Sequence, residues 1–251
     1  MKEVIAIVNR RGGVGKTATT HALGAGLLLK GYRVLFIDLD SQCNLSYDLG
    51  AKATPLSSLE VLTGTATIEE ATQHTPQGDI VPASPSLSGA DSIIDGTGKE
   101  YRLKEALEAV ASLYDYVVID TPPALGVLTV NALTACNSAI IPAQAEVHSL
   151  QGIGLINDTI QPVKKYCNPE LSLKGILITR YNGRAVLSRD MKQNLETIAT
   201  QLGTKVFKTP IRECTAIKEA QATQTDIYSY SPRSNASKDY TAFIEEVLEN
   251  D

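Results

Sequence analysis

The residues with the clearest chemistry lie near the start of the chain, in the run Gly12-Gly13-Val14-Gly15-Lys16-Thr17. Glycines let successive backbone N–H groups point at phosphate oxygens, and a helix beginning near Lys16 adds the partial positive charge of its N-terminus. The Lys16 ammonium would neutralise the β- and γ-phosphates of a nucleotide, and the Thr17 hydroxyl would bind Mg²⁺. The loop residues predicted to hold a nucleotide are Gly12, Gly13, Val14, Gly15, Lys16, Thr17 and Ala18.

Acidic residues follow two further apolar runs and could complete a metal site. Asp38 and Asp40 come at the end of residues 34–37, and the alternation of side chains along a strand places both on the same side. One carboxylate would then belong to the metal shell while the other orients the attacking water. Asp38 taken alone also fits a capped, solvent-exposed turn. Asp120 closes the apolar run 116–119, where a carboxylate would bind Mg²⁺ through water.

Short apolar runs alternate with helical patterns along the chain. The runs predict strands at residues 4–8, 34–37, 116–119, 138–141 and 175–178. The helical patterns cover residues 16–30, 104–112, 150–165, 188–202 and 238–248. Strands that are apolar on both faces and alternate with helices predict an α/β fold: a single doubly wound, mostly parallel sheet flanked by helices. Residues 54–98, rich in Ser, Thr, Gly and Pro, are expected to form an irregular insertion within one domain spanning 1–251.

Composition narrows the class of protein. The chain has 251 residues, of which 43% are hydrophobic and 20% charged, as in ordinary globular domains. No segment approaches the ~20 apolar residues that span a bilayer, and no basic, apolar leader precedes the first predicted strand, so we expect a cytoplasmic protein. Its four cysteines are scattered without a Cys-x-x-Cys pair, which argues against a zinc site and a disulfide framework.

The chain has four motifs, at residues 12–17, 38–46, 114–123 and 179–182. They stand in the order found in the ParA/Soj and MinD superfamily of deviant Walker A ATPases. The chain resembles this superfamily over nearly its full length. The resemblance implies a P-loop NTPase fold of the SIMIBI type, with ATP or ADP and Mg²⁺ as ligands. It implies that Asp40 orients the hydrolytic water beside Lys16, and that Thr17, Asp40 and Asp120 serve the metal. It also implies that Asn182 bonds adenine while Pro210, Ile211 and Arg212 line the other side of the base. An asparagine after a strand equally forms a local turn.

The family has a lysine before the Gly-Gly pair, which reaches the phosphates of the partner subunit in a nucleotide-sandwich dimer. This chain has Arg11 there. Arginine keeps the charge and bonds phosphate bidentately, but it is longer and planar. The resemblance implies a catalytic role for Arg11 across an ATP-dependent homodimer that hydrolyses ATP slowly. The alternative is a solvated arginine beside the loop, in a protein that binds ATP without turnover.

Such a switch could act on either of two kinds of target, and the first is DNA. Residues 174–212 contain eight basic and two acidic residues although the whole chain has a net charge of -5. In Soj-like proteins a DNA-contacting arginine occupies the position of Arg184, and Lys218 and Arg233 are further candidates. The resemblance then implies non-specific DNA binding on the nucleoid, chromosome or plasmid partition, and a ParB-like centromere-binding partner that stimulates hydrolysis.

The alternative is a MinD-like ATPase that positions itself on a membrane or on protein cargo. Residues 239–251 have an acidic polar face, which anionic lipid would repel, so we predict a helix that docks on the domain. An iron–sulfur reductase of the same scaffold would need a cysteine pair, whereas Cys136 stands alone. Because the glycine-rich loop begins near residue 10, we expect no N-terminal helix-turn-helix and therefore no operator reading.

Overall fold

A seven-stranded sheet forms the centre of the computed structural model, which describes residues 1–249. The strands are β1 (Glu3–Ile7), β2 (Val34–Asp38), β3 (Gln73–Thr75), β4 (Gly78–Val81), β5 (Tyr116–Asp120), β6 (Ser138–Gln144) and β7 (Ser172–Thr179). Their order in the sheet is β3-β4-β2-β5-β1-β6-β7. All neighbours pair in parallel except β3, which is antiparallel to β4. The predicted mostly parallel sheet is confirmed.

Helices cover both faces of this sheet. They are α1 (Lys16–Leu29), α2 (Asn44–Asp48), α3 (Ser58–Thr63), α4 (Ile68–Ala71), α5 (Ala90–Ile93), α6 (Arg102–Ala109), α7 (Val127–Ala135), α8 (Val147–Tyr166), α9 (Val186–Gln201), α10 (Thr215–Ala222), α11 (Ile227–Tyr230) and α12 (Asn235–Leu248). Helices α1, α2 and α10 to α12 pack on one face, and α3 to α9 pack on the other. Within residues 1–249, no helix is both long and apolar enough to cross a bilayer.

The alternation of side chains in β1 shows why the central strands are apolar throughout. Ile5 and Ile7 lie in the core under α1 and α12, whereas Val4 and Ala6 lie in the core on the opposite face. All four are nearly inaccessible, from 0% to 5% exposed. A strand with helices on both faces must be apolar at every position, and this requirement produces the continuous runs seen in the sequence.

The region 54–98 is more regular than the expected insertion. Strands β3 and β4 extend the sheet beyond β2, with Leu35 opposite Asp79 and Phe36 opposite Ile80. Two short helices precede these strands, and each begins with a reciprocal capping box, formed by Ser57 and Glu60 for α3 and by Thr67 and Glu70 for α4. Such caps satisfy the free N–H groups of helices that are too short to be stable alone.

The register of the parallel strands brings distant residues to one edge. Asp120 lies opposite Ile7 of β1 on one side and opposite Asp38 of β2 on the other. Gln144 of β6 lies opposite Thr179 of β7 at the same end of the sheet. The loops after β1, β2 and β5 therefore converge at the carboxyl edge, where α/β sheets place their ligands.

Candidate functional site

The loop between β1 and α1 has the backbone form that the glycine-rich motif predicts. Gly13 and Gly15 have positive φ angles of 74° and 89°, and α1 begins immediately after Gly15. An added Cβ at Gly12 or Gly13 would meet no atom within 4 Å, because open space lies in front of the loop. The loop therefore presents its backbone, rather than side chains, to the space above the N-terminus of α1.

Two side chains from neighbouring strands hold this loop in place. Gln144 Nε2, at the end of β6, donates to the carbonyl oxygen of Gly13 at 3.0 Å. Thr179 Oγ1, at the end of β7, donates to the carbonyl oxygen of Val14 at 2.7 Å. With these carbonyls bonded on the sheet side, the N–H groups of the loop stay directed toward the open space.

Lys16 lies at the first position of α1 with only 7% of its surface exposed. Its Nζ donates to the Arg11 carbonyl oxygen at 3.2 Å. Burial lowers the pKa of Lys16, and the charges of Asp120 and Asp40 oppose that shift. An anion in front of the loop would restore the solvation that the ammonium loses, as a phosphate group does.

Thr17 and Asp120 are bonded to each other at the start of α1. Thr17 Oγ1 donates to Asp120 Oδ2 at 2.7 Å, and Thr20 Oγ1 lies 3.4 Å from Asp120 Oδ1. Asp120 is fully buried, and its pKa is raised well above its usual range by burial first and by the charge of Asp38 second. A cation beside Thr17 would relieve this cost, so the residues present fit a divalent ion.

The donor set also fits Mg²⁺ in particular. Among residues 1–249, no three His, Cys, Asp or Glu side chains form a metal-binding group of their own. Mg²⁺ is usually held by one or two protein oxygens, with phosphate oxygens and water completing the octahedron. Asp120 lies behind Thr17 and does not line the cleft, an arrangement that suits a carboxylate acting through water.

The two acids after β2 have different positions. Asp38 is buried and accepts hydrogen bonds from the backbone N–H and hydroxyl of Ser46, at 2.9 and 2.7 Å, and from the Asp40 N–H at 3.0 Å. Burial raises its pKa to about 6. Asp38 therefore fixes the loop and does not line the cleft, so only Asp40 of the two acids predicted to lie on the same side faces the cleft. Asp40 lines the cleft, and its Oδ1 accepts from the Gln42 N–H at 3.1 Å.

A cleft of about 980 Å³ opens above these residues. The predicted site residues that line it are Gly12, Gly13, Gly15, Lys16, Thr17, Ala18, Asp40, Ile211, Arg212 and Lys218. Of the other residues predicted to bind the nucleotide or the metal, Val14 and Asp120 are buried, Pro210 is partly buried and Asn182 is exposed, and none of these four lines the cleft. Asn182 Oδ1 accepts from the Arg184 N–H at 3.1 Å, so this asparagine forms the local turn that was its alternative interpretation.

The side of the cleft where a base would lie is built from the segment after α9 and from α12. Residues 206–212 run beside β7, with Val206 paired to Ile176 and Arg212 paired to Tyr181. The Arg212 guanidinium is bound by Asp239 of α12, with Nε 2.9 Å from Oδ2. The ion pair fixes the Arg212 side chain against α12. Arg212 therefore lines this side of the cleft with its charge already paired to Asp239.

Three residues of this wall could not be predicted from the sequence. Tyr47 of α2 lines the cleft with 55% of its surface exposed, and Ile217 and Gln221 line it from α10. Gln221 Nε2 donates to Asp48 Oδ2 at 2.7 Å and ties α10 to α2. Ile217 and Gln221 are four residues apart, a spacing that shares one helix face once the start of α10 is known.

Arg11 does not line the cleft. Its Nη1 lies 2.6 Å from Glu146 Oε1, just before α8, and its backbone N–H donates to Asn9 Oδ1 at 2.9 Å.

The basic candidates for DNA contact lie outside the phosphate site. Arg184 is exposed between β7 and α9, Lys218 is exposed on α10 at the rim of the cleft, and Arg233 is exposed before α12.

Comparison with known proteins agrees with this geometry. A family model described as an AAA domain matches residues 2–173. The chain is 37% identical to the sporulation initiation inhibitor protein Soj of Bacillus subtilis, over 100% of both chains. It is 36% identical to the chromosome-partitioning ATPase Soj of Treponema pallidum, over 100% of this chain and 99% of the relative.

Among solved structures, cobyrinic acid a,c-diamide synthase from Mycobacterium smegmatis with bound ADP and magnesium matches with a TM-score of 0.87 at 35% identity. The match covers 100% of this chain and 95% of that one. The fold, the glycine-rich loop and the full-length similarity to Soj proteins lead to one family. The chain belongs to the AAA domain family and, within it, to the ParA/Soj-type ATPases.

Proposed function

We propose that this protein is a partition ATPase that binds ATP or ADP with Mg²⁺, forms a homodimer with ATP and binds DNA without sequence preference in that state. The observation that carries the proposal is the cleft over Lys16, Thr17 and Asp40, in a chain similar over its whole length to Soj proteins. A ParB-like partner would stimulate hydrolysis and reset the cycle.

Each residue at the carboxyl edge has a distinct task in this proposal. The N–H groups of the loop and Lys16 bind the phosphates, and Thr17 holds Mg²⁺ with Asp120 behind it. When bound there, Mg²⁺ would neutralise charge on the nucleotide phosphates. Asp40 orients the attacking water: its Oδ1 is held by the Gln42 N–H, and no hydrogen bond within residues 1–249 occupies its Oδ2. Hydrolysis stays slow until the dimer and a partner complete the site.

The charge distribution supports DNA as the target. In the basic stretch 174–212, Lys174 pairs with Glu3, Arg180 with Glu213 and Arg212 with Asp239. Around the start of α9 the pattern changes, because no ion pair within residues 1–249 involves Arg184, Arg189 or Lys192. Arg184 and Arg189 are exposed and Lys192 is partly exposed, so these cations are available to DNA phosphates. Contacts to phosphates do not depend on the base sequence.

The MinD-like alternative has less support. Its membrane form needs a C-terminal amphipathic helix with a free apolar face. In α12 the apolar residues Tyr240, Phe243, Ile244 and Val247 are buried against the domain, at most 2% exposed. The final two residues of the acidic tail, 250 and 251, lie outside the described residues. Protein cargo remains the competing target.

Binding of a non-specific DNA duplex tests the proposal, measured by fluorescence anisotropy with ATP, ADP or no nucleotide at two salt concentrations. We expect the protein to bind the duplex only in the presence of ATP, and the affinity to fall as the salt concentration rises. Arg184→Ala should reduce the affinity about two- to tenfold and lower the salt slope by about one, as loss of one phosphate contact does.

Lys104→Ala is the matched control, since this exposed lysine lies on α6, which packs against α3, α4 and α7. It should leave DNA binding unchanged. Equal weakening by Lys104→Ala and Arg184→Ala would show a diffuse charge effect without a defined surface. If no nucleotide state binds DNA while ATP still drives dimerisation, the proposed target is wrong and protein cargo takes its place.

A further inference from the structure

Arg11 and Glu146 form an ion pair unlike the others on the surface. The two side chains are 36% and 35% exposed, yet the two facing atoms, Arg11 Nη1 and Glu146 Oε1, are withdrawn from solvent and lie 2.6 Å apart. The contact is electrostatic, without the alignment of a hydrogen bond. Charges removed from water attract each other more strongly than solvated ones, so this pair has a larger effect than its partial exposure suggests.

The local structure holds both members of the pair in place. Asn9 Nδ2 donates to the Pro142 carbonyl oxygen of β6 at 2.6 Å, and Asn9 Oδ1 accepts from the Arg11 N–H. Glu146 lies two residues after the end of β6 and immediately precedes the first turn of α8. Gln144, two residues earlier, bonds the carbonyl oxygen of Gly13. The short segment from Gln144 to Glu146, at the end of β6, therefore holds the backbone of the phosphate loop and also the side chain of Arg11.

We propose that Glu146 is a positioning residue that retains Arg11 within its own subunit until a second subunit presents a triphosphate. This inference rests on the proposed function, in which Arg11 acts across a dimer. In the isolated subunit the guanidinium is neutralised by Glu146 and points toward α8. To reach a partner's nucleotide it must leave that carboxylate, and the exchange is favourable only when the incoming anion binds it better.

The chemistry of the exchange accounts for a preference for ATP over ADP. A guanidinium bonds a phosphate bidentately and more strongly than it bonds one carboxylate oxygen, and the γ-phosphate adds the charge nearest the partner subunit. Competition from Glu146 therefore raises the protein concentration needed for dimerisation. The Glu146 carboxylate therefore disfavours dimerisation when the bound nucleotide lacks a γ-phosphate.

Dimerisation in solution provides the test, by sedimentation velocity over a concentration series with Mg²⁺ and the non-hydrolysable ATP analogue AMPPNP. Glu146→Gln keeps the shape and removes the charge. It should tighten the dimer about fivefold, the upper end of the range for an exposed ion pair, because the facing atoms are withdrawn from solvent, and should permit some dimer with ADP. Glu245→Gln is the control, because it removes the carboxylate of the Lys30 pair on the face formed by α1 and α12; it should match the wild type.

A double-mutant cycle with Arg11→Ala separates this role from a structural one. In the Arg11→Ala background, Glu146→Gln should have no further effect on the dimer. If Glu146→Gln alone matches the wild type while Arg11→Ala weakens the dimer, the retention is disproved and the proposed function stands. If Arg11→Ala itself changes nothing, the action of Arg11 across the dimer fails, and the retention fails with it.

A second readout needs no nucleotide. In ¹⁵N-detected spectra of the nucleotide-free protein, the Arg11 guanidinium resonances should shift and exchange faster with water in Glu146→Gln but not in Glu245→Gln. Unchanged Arg11 resonances in Glu146→Gln would show that the pair does not hold the side chain in solution, and would overturn the inference.

Discussion

The two ends of the cleft are built differently. At the phosphate end, Lys16 and Asp120 are 7% and 0% exposed, and the loop backbone is held by a buried hydrogen bond from Thr179 and an exposed one from Gln144. At the base end, Tyr47 is 55% exposed, and the ion pair of Arg180 with Glu213 lies between side chains that are 48% and 63% exposed. Side chains from the sheet strands hold the phosphate end in place, whereas the base end is formed largely by exposed side chains at the edge of the cleft.

This difference indicates where binding requires rearrangement. Donors already fixed toward a ligand lose little freedom when it binds, so a preformed phosphate end gains affinity at low entropic cost. The rim side chains must be ordered on binding and contribute less. Substitutions at the phosphate end should therefore change nucleotide affinity or turnover much more than substitutions at the base end.

Asp40→Ala should have the largest effect. Removing the carboxylate that orients water should reduce the rate of phosphate release about 1000-fold, within the range for loss of a general base. Nucleotide affinity should stay within about twofold of the wild type, because the loop and Lys16 are intact. The rate is measured in single-turnover assays and the affinity by titration calorimetry. Full activity in Asp40→Ala would remove Asp40 from the mechanism.

Lys16→Ala should weaken ADP binding about 100-fold, since a buried ammonium that bonds phosphate is lost. Calorimetric titration of ADP with Mg²⁺ measures the change. Lys218→Ala, at the rim of the same cleft, is the comparison and should change ADP affinity less than about threefold. Comparable losses in the two variants would contradict the proposed contrast between the ends.

Asp48→Asn changes a buried carboxyl group of α2 that bonds Gln221 at the base end of the cleft. Burial raises the pKa of Asp48 to about 6 from a usual value of 3.8, and Gln221 opposes the shift. The folded state therefore holds this proton more tightly, and the stability from this group is fully present below about pH 3.8 and is lost as pH rises through about 6. Asp48→Asn, which never ionises, should raise the free energy of unfolding by about 2 kcal/mol at pH 7.5.

Urea denaturation at pH 5 and pH 7.5 checks this result. The gain from Asp48→Asn should be about 1 kcal/mol larger at pH 7.5 than at pH 5. Asp158→Asn, on the exposed face of α8, is the control and should give equal differences at both values. A gain from Asp48→Asn that does not depend on pH would mean that the carboxylate is not the source of the effect.

Gln144→Ala should have the smallest effect on the phosphate end. It frees the Gly13 carbonyl oxygen from β6 while Thr179 still holds Val14, so ADP affinity should fall about three- to tenfold, as for one hydrogen bond. Gln161→Ala removes a side chain that bonds Asn157 on the surface of α8, far from the loop in the sequence, and should leave the affinity unchanged. Normal binding in Gln144→Ala would show that β7 alone supports the loop.

Most of the sheet and the whole phosphate loop could be predicted from the sequence, because both depend on local patterns. A strand buried on both faces needs a continuous apolar run, and a loop that exposes its N–H groups needs glycine at residues such as Gly13 and Gly15. Strands β3 and β4 could not be predicted in this way. They are short and partly polar, and they exist because β2 offers an open edge for β4.

Side-chain roles that depend on distant partners were equally hidden. Asp38 resembles a ligand in sequence, but Ser46, eight residues later, turns back to bond it. Asn182 carries an amide that could bind a base, yet its oxygen bonds the Arg184 N–H two residues on. Glu146 shows no motif at all, and only the junction of β6 with α8 brings it to Arg11. Such pairings follow from tertiary geometry rather than from spacing.

Sedimentation velocity of Asp40→Ala with Mg²⁺ and ATP, ADP or no nucleotide tests the central claim most directly, because slow turnover keeps ATP intact during the run. The account predicts a dimer with ATP and a monomer with ADP or without nucleotide, since only the γ-phosphate completes the site between subunits. The same oligomeric state in all three conditions would contradict the claim that this cleft is an ATP-operated switch.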